Sequence, residues 1–278
     1  MKCTGSDFSA RLNSFLSFTI LLGMMVFRPA VARAVGFQPV SPDELKMTAE
    51  AKAPGAPAII LFRQVDRDDR GLTAHEDVYF RIKILTEEGR KYADVEIPFF
   101  KEQGKIVNLR ARTIKPDGTV VEFSGKAFDK SIVKARGLKY LAKTFTLPDV
   151  QVGGIIEYYY TQDLAEHYVF DSHWILSNEL YTKNAKFSLR PYTSDYQQFY
   201  VRWTWNNLPP GTTPPVEAPN HIVTMDASDI PAFHTEDYMP PENELKSRVD
   251  FIYSEDTFER NTDVYWKKLG KKRYGALE

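Results

Sequence analysis

The stretch VNLRARTIKPDGTVVEF, residues 107–123, decides the fold class of this chain. Apolar and polar side chains alternate from Val107 to Arg112, the pattern of a strand with one face on a core and one in water. Residues 115–119 (KPDGT) follow as a tight turn, because proline presets one backbone dihedral angle and glycine accepts a positive φ. Residues 120–123 return as the partner strand, so the stretch predicts an antiparallel hairpin.

Similar alternation continues on both sides of this hairpin. Short strands separated by frequent turns predict an all-β fold, an antiparallel β-sandwich-like domain over residues 58–241. The strands of this pattern lie at residues 78–84, 93–97, 155–160, 185–190, 199–205 and 221–225.

A short N-terminal helix is predicted within residues 35–57. Ser41 can cap it, Pro42 suits its first position, and Glu44 completes a capping box. Residues 53–57 (APGAP) end this segment, and the period of the sequence then changes from helical to alternating. The segment is therefore predicted to be a short helix and a linker ahead of the β-domain.

Residues 242–278 predict a last strand at 251–253 and a C-terminal helix that begins at Thr262. Trp266 and Leu269 recur at helical spacing and form an apolar stripe on that helix. Because the sequence ends at Glu278 with the stripe barely covered, we expect this segment to lead toward a missing downstream domain.

Residues 1–34 read as an export signal. Lys2 and Arg11 precede a short apolar run, FLSFTILLGMMVF, and an A-x-A pattern ends at Ala34, where we place the cleavage. The run is shorter than the roughly 20 apolar residues that a spanning helix needs, so an uncleaved membrane anchor is the less favoured alternative. We therefore expect a periplasmic or secreted product.

The composition after this cleavage excludes several kinds of site. Cys3 is the only cysteine, so the exported chain would have no disulfide, no thiolate metal ligand and no cysteine nucleophile. Removal of residues 1–34 leaves 32 basic and 36 acidic residues, a formal charge of −4. This balance lacks the basic excess of a nucleic-acid-binding protein.

Four motifs resemble a known family. They are KPDGT at 115–119, LPDVQVGGIIEY at 147–158, DIPAFHTEDYMPP at 229–241 and YWKKLG at 265–270. The chain is similar in these motifs to the domain of unknown function 3857 (DUF3857), from about Glu50 to its end. The resemblance implies an extracytoplasmic all-β domain of bacteria that commonly precedes a transglutaminase-like core with a Cys-His-Asp triad. Because no cysteine follows Cys3, the resemblance carries no catalytic residue over to this chain.

Two sets of side chains could carry chemistry. His167, Asp171 and His173 fall on one face of a strand and could ligate zinc, but such wide spacing on a straight strand does not converge on one ion, so we expect no metal or other cofactor. Glu157, Asp171 and Glu179 lie among aromatic residues and could form the carboxylate pair of a glycosidase. We instead expect Glu157 to alternate out of a hydrophobic strand.

Aromatic and basic side chains give the remaining candidates. A glycan- or peptide-binding groove could use six aromatic residues, although strand alternation favours core packing for about half of them. These are Tyr158, Tyr159, Tyr160, Trp174, Trp203 and Trp205. Arg110 and Arg112 could bind an acidic ligand, but we expect exposed strand arginines that solvate the sheet.

The sequence favours a non-catalytic extracytoplasmic domain with a binding or scaffolding role, normally accessory to a transglutaminase-like domain. The expected partners are that domain or a peptide or glycan ligand, without nucleic acid and without a membrane except through an uncleaved signal. The alternatives are a cell-envelope glycosidase and a pure glycan- or peptide-binding module.

Overall fold

The computed structural model describes residues 36–71, 73–135, 138–165, 172–193, 200–254 and 262–275. Strands dominate this part of the chain, with three α-helices and one short 3-10 helix (Glu88–Ala93). The strands are β1 Ala58–Asp68, β2 His75–Ile84, β3 Asp94–Phe100, β4 Gly104–Ile114, β5 Val120–Glu122, β6 Phe128–Ala135, β7 Leu138–Thr146, β8 Ile155–Leu164, β9 His173–Ile175, β10 Thr182–Arg190, β11 Tyr200–Asn206, β12 Val216–Glu217, β13 Val223–Ile230 and β14 Arg248–Ser254. The helices are α1 Pro42–Lys46, α2 Glu242–Leu245 and α3 Thr262–Gly275.

These strands form one large sheet and two small ones. The large sheet has the order β12-β13-β10-β1-β2-β8-β4-β5, and the small sheets have the orders β3-β7-β6 and β11-β14-β9. In the large sheet, strands β1 and β10 run parallel to each other. The other strand pairs described are antiparallel. The predicted all-β, sandwich-like class is confirmed, as are helices near both ends of the described chain.

The hairpin of residues 107–123 forms as predicted between β4 and β5. The Lys115 N–H donates to the Thr119 carbonyl at 2.8 Å, and Gly118 has the positive φ of 87° that the turn requires. A second family motif lies against this turn, because Lys115 forms an ion pair with Asp149 at 2.9 Å. The two motifs therefore meet as neighbouring turns at one edge of the large sheet.

The inner face of the large sheet carries two apolar cores. Alternation puts Val78, Phe80 and Ile82 of β2 on this face. The first core joins β2, β4 and β8 to β3 and β7 of one small sheet. The second core joins β1, β10 and β13 to β9 and β14 of the other small sheet, with Trp174 and Phe251 at its centre. Both small sheets thus pack on the same face of the large sheet.

The outer face of the large sheet differs from the sequence-based expectation. Alternation predicted that the polar rows of β2 and β8 face water, yet Arg81, Lys83 and Glu157 are buried, with 4%, 0% and 0% of their surfaces exposed. Residues 36–57 cover this face, and a third apolar cluster around Ile59 and Ile155 packs against them. A polar row can be buried only if its groups find hydrogen-bonding partners, which determines the site described below.

The N-terminal helix has the predicted capping box. The Glu44 N–H donates to the Ser41 hydroxyl, and the Ser41 N–H donates to the Glu44 carboxylate at 2.7 Å. Two of the helix's otherwise unpaired donors are thereby satisfied. The capping box defines where α1 begins, and because the helix is only five residues long, its contacts with Arg81 and Lys83 on the sheet also hold it.

The C-terminal part combines an integrated strand with an exposed helix. Strand β14 pairs with both β11 and β9, so it belongs to the sandwich. Trp266 on α3 is 61% exposed, while the neighbouring Tyr265 ring lies 5.7 Å from the Arg202 guanidinium on β11. None of the helices in the described residues is both long enough and apolar enough to span a membrane.

The alternation of β14 generates a stability prediction. Phe251 is 3% exposed and contacts Trp174, whereas the adjacent Ile252 is 46% exposed. We expect Phe251→Ala to lower the free energy of unfolding by about 3–5 kcal/mol, because it leaves a cavity in the second core. The matched Ile252→Ala should cost less than about 1 kcal/mol. Urea unfolding of residues 35–278 measures both, and equal losses would contradict the packing described here.

Candidate functional site

A buried ionic network lies on the outer face of the large sheet. Glu157 of β8 accepts hydrogen bonds from the Arg81 Nε of β2 at 2.8 Å and from the Arg112 Nε of β4 at 2.6 Å. The Tyr79 hydroxyl donates to the same Glu157 oxygen as Arg81. The Glu157 side chain is fully buried, so both of its oxygens are enclosed by protein donors. Two guanidinium groups and a phenol thus neutralise one interior carboxylate.

The N-terminal segment completes this network. We call residues 36–47 the strap. The Gln38 carbonyl of the strap accepts from Arg81 at 2.8 Å and from Arg112 at 3.3 Å, and the Glu44 carboxylate accepts from Arg81 at 2.9 Å. The Leu45 carbonyl accepts from the Lys83 ammonium at 2.7 Å. The cations of the sheet therefore hold the strap through two main-chain carbonyls and one carboxylate.

An aromatic residue anchors the start of the strap. The Arg112 guanidinium lies 4.3 Å from the centre of the Phe37 ring, a cation–π contact. The same ring meets Tyr159 of β8 edge to face, with the ring centres 5.2 Å apart. Arg112 was expected to be an exposed strand arginine, but it is instead covered by Phe37 and bound to Glu157. Sequence reasoning missed this role because Phe37 is distant from Arg112 along the chain.

Burial and charge shift the pKa values of the groups around Glu157. Burial raises the pKa of the Tyr79 phenol, and the neighbouring Glu157 carboxylate raises it further, so the hydroxyl remains a donor. Burial would raise the pKa of Glu44, but the hydrogen bonds from the Ser41 N–H and from Arg81 outweigh it and hold that pKa below its ordinary value. Glu44 is consequently ionised at neutral pH, as its contact with Arg81 requires.

The residues proposed for metal binding are only partly described. His173 lies on β9 and is half-buried, whereas His167 and Asp171 fall outside the described residues. Across the described ranges, no group of three His, Cys, Asp or Glu side chains is arranged to hold a metal ion.

The carboxylates considered for a glycosidase occupy different surroundings. Glu157 is enclosed in the ionic network, and Asp171 falls outside the described residues. Glu179 is exposed and accepts a hydrogen bond from the Tyr92 hydroxyl at 3.1 Å. Burial and then the Glu179 charge raise the pKa of Tyr92 to about 12. Glu157 and Glu179 therefore do not form a pair across one opening.

Glu179 lines a polar cleft of about 410 Å³ between residues 177–179 and a family motif. Glu242 forms an ion pair with Lys246 at its wall, and the Thr235 hydroxyl donates to Glu242 at 3.0 Å. The Lys246 ammonium lies 5.4 Å from the centre of the Phe233 ring. The cleft offers carboxylate, amide and hydroxyl groups to a polar ligand.

The aromatic residues mostly pack in the cores. Trp174 and Tyr158 are buried at 1% and 8% exposure, and the partly buried Trp203 packs on the second core. Tyr160 contacts both cores, and Tyr159 meets the strap. Only Trp205 of this set is substantially exposed, at 45%. These positions favour core packing over a continuous aromatic platform.

A second buried ionic cluster was not predicted from the sequence. Asp69, at the end of β1, is fully buried and accepts from the Arg67 Nε at 2.8 Å and the Tyr253 hydroxyl at 3.0 Å. The Tyr253 hydroxyl in turn accepts from the Tyr192 N–H at 3.1 Å. Burial raises the pKa of Asp69, and the contact with Arg67 opposes that rise. The cluster ties the ends of β1, β10 and β14 together.

Comparison with known proteins identifies the family. The family model DUF3857, a domain of unknown function with a solved structure, matches residues 73–234, more than half of the chain. The chain belongs to the DUF3857 family. No curated protein matches its sequence.

Among the solved structures that match, one shares the fold of this chain. A crystal structure of a candidate protease from Parabacteroides distasonis ATCC 8503 matches with a TM-score of 0.54 at 14% identity, covering 70% of this chain and 40% of that chain. Legionella pneumophila aminopeptidase A in complex with aspartic acid matches with a TM-score of 0.31 at 7% identity. That match covers 71% of this chain and 22% of the aminopeptidase chain. Native leukotriene A4 hydrolase from Saccharomyces cerevisiae matches with a TM-score of 0.35 at 8% identity. That match covers 76% of this chain and 33% of the hydrolase chain. This chain spans less than half the length of each of them, and the first match shows a shared fold alone.

The enclosure of Glu157 generates a second stability prediction. We expect Glu157→Gln to lower the free energy of unfolding by about 3–5 kcal/mol, because it leaves Arg112 without a countercharge and Arg81 with Glu44 as its remaining one. The matched change is Glu96→Gln on β3, where a half-exposed carboxylate pairs with Lys130. That change should cost at most about 1 kcal/mol. Chemical denaturation at neutral pH measures both, and a Glu157 variant as stable as the Glu96 variant would contradict the network.

The lowered pKa of Glu44 generates a pH prediction. A carboxyl group whose pKa is lowered by folding stabilises the protein at pH values above its pKa in the unfolded chain, ordinarily 4.5. This stabilisation is lost as the pH drops through the lower pKa of the folded state. We therefore expect Glu44→Gln to be less stable than the unmodified chain at pH 7 and to converge with it on acidification. Urea unfolding between pH 7 and pH 3 tests this. Asp43→Asn in the same turn serves as the control, and a Glu44 effect that persists unchanged in acid would contradict it.

Proposed function

We propose that this chain is a non-catalytic extracytoplasmic domain with a binding or scaffolding role, normally accessory to a transglutaminase-like domain. The observation that carries the proposal is the enclosure of Glu157 by Tyr79, Arg81 and Arg112. The interior carboxylate best placed for acid–base chemistry is thereby a structural anchor that a substrate does not reach.

Membership of the DUF3857 family supports this role. The family motifs in this chain build turns, as the contact of Lys115 with Asp149 illustrates. The export pattern of residues 1–34 supports a periplasmic or secreted location. A domain whose family motifs shape loops, while the interior carboxylate Glu157 is held in ion pairs, is suited to hold or present another protein.

The exposed face of α3 is the element we assign to a protein partner. Trp266 and Tyr274 are 61% and 69% exposed on this helix, and large exposed aromatic residues are typical anchors of protein interfaces. A transglutaminase-like domain that packs against α3 would cover them.

The polar cleft beside Glu179 favours a second candidate function, a glycan- or peptide-binding module. Its wall presents the Glu242–Lys246 ion pair and the Phe233 ring, a mixture of polar and apolar groups that suits a polar polymer. Binding there would require no turnover.

Assays of the exported chain test the absence of catalysis. We expect residues 35–278 to show no hydrolysis of peptidoglycan or polysaccharides and no acyl transfer to peptide amines. The same assays with Glu179→Gln and Glu242→Gln provide the controls. Turnover that survives purification and disappears in either variant would overturn the non-catalytic role in favour of an enzyme centred on the cleft.

Fluorescence of Trp266 tests the scaffolding role. Addition of a purified transglutaminase-like domain should shift the tryptophan emission of the exported chain to shorter wavelength, because the indole leaves water. We expect Trp266→Ala to weaken this association at least ten-fold, whereas Trp205→Ala, which removes an exposed tryptophan of β11, should leave it unchanged. Equal effects of the two variants would contradict docking through α3.

A further inference from the structure

The strap is bound to the large sheet in the manner of a peptide ligand. Its contacts with Arg81, Lys83 and Arg112 go to the carbonyls of Gln38 and Leu45, which any residue at those positions would supply. Only two strap side chains are recognised through the ionic network, the Phe37 ring and the Glu44 carboxylate. Such a combination of main-chain hydrogen bonds and a few side-chain contacts is how proteins bind short peptide segments.

The strap is also much less buried than the surface beneath it. No residue from Gly36 to Lys46 is buried, whereas Lys83 and Glu157 underneath are fully buried. Val40 and Leu45 only partly pack against the third apolar cluster. Segments with few buried apolar contacts open locally at a lower free energy than global unfolding requires. The strap therefore has the properties of a segment that detaches while the sandwich remains folded.

Detachment of the strap would uncover a cationic surface. Arg81 and Arg112 bind the one carboxylate Glu157, and Lys83 lies under the strap at the Leu45 carbonyl, so these four groups have a formal charge of +2. Glu44 of the strap reduces this to +1 and adds acceptors for the guanidinium hydrogens. Charge complementarity thus favours an occupant that brings a carboxylate and main-chain carbonyls.

From these observations we infer that the outer face of the large sheet is a peptide-binding site, occupied in cis by the strap, that accepts an acidic peptide of another protein with the strap's extended start and short helix. The ligand places an aromatic side chain over Arg112, as Phe37 does, and a carboxylate on Arg81, as Glu44 does. This site shares the Glu157 network on which the proposed function rests, but its test measures peptide binding, whereas the tests of that function measure turnover and docking through α3, so the two can fail separately.

A labelled strap peptide tests this inference on residues 35–278. The probe is the fluorescein-labelled synthetic peptide GFQPVSPDELKM, residues 36–47, and its binding is followed by fluorescence anisotropy. The host is the double variant Phe37→Ala, Glu44→Gln, in which the cis strap is weakened but the surface beneath is intact. We expect the double variant to bind the peptide at least ten-fold more tightly than the unmodified chain, where the tethered strap competes at high effective concentration.

Matched controls separate specific from nonspecific binding. The same peptide carrying Phe37→Ala and Glu44→Gln should bind the double variant at least ten-fold more weakly. Addition of Arg112→Ala to the double variant should abolish binding of the original peptide. A cooperative unfolding transition establishes that each host is folded, and Glu44→Gln alone replaces the double variant if that variant does not fold.

Two results would overturn the inference. One is a folded, strap-weakened host that binds the probe no better than the unmodified chain, or that binds both peptides equally. The other is a concentration-dependent dimer of the unmodified chain that is lost in the double variant, because it would make the strap of a second copy the natural occupant. Sedimentation velocity over a range of concentrations distinguishes that dimer from a monomer.

Discussion

The buried carboxylate of Glu157, held between Arg81 and Arg112, organises the centre of this fold. An interior carboxylate without partners would cost several kcal/mol, so β2 must bring Tyr79 and Arg81, and β4 must bring Arg112, to Glu157 on β8. A slip of β8 by one residue would turn Glu157 toward the first apolar core, leaving Arg112 without a carboxylate and Arg81 with Glu44 alone. The network therefore specifies the register of three adjacent strands, and its remaining donors bind the strap.

The two faces of the large sheet differ in what packs against them. Phe80 and Tyr160 on the inner face contact both apolar cores, which couples the two small sheets through the large one. Arg63 also lies between them, where it donates to the Ile175 carbonyl at 2.7 Å and lies 5.5 Å from the centre of the Phe187 ring. The two larger apolar cores thus lie on the inner face, whereas the outer face holds the ionic network of Glu157.

Much of the architecture followed from local sequence patterns. The hairpin at residues 107–123 and the capping box of Ser41 and Glu44 each depend on neighbours within a few positions, so residue type alone predicts them. Strand β1 was not predicted, because its first four residues are all buried and do not alternate. The 229–241 motif was recognised, but its place in the wall of a cleft depends on residues 177–179 of a different segment.

The sequence by itself determined the all-β class, the principal turns, the helices near the two ends and the family to which the chain belongs. These properties depend on periodicity and turn chemistry, which act over short distances along the chain. Only the tertiary structure decided that the polar side chains on the outer face of the sheet are buried. Glu157 binds Arg81, which lies 76 residues away in the sequence, and Arg112, which lies 45 residues away. Alternation marks which side chains share a face, but the strap that covers that face comes from elsewhere in the chain.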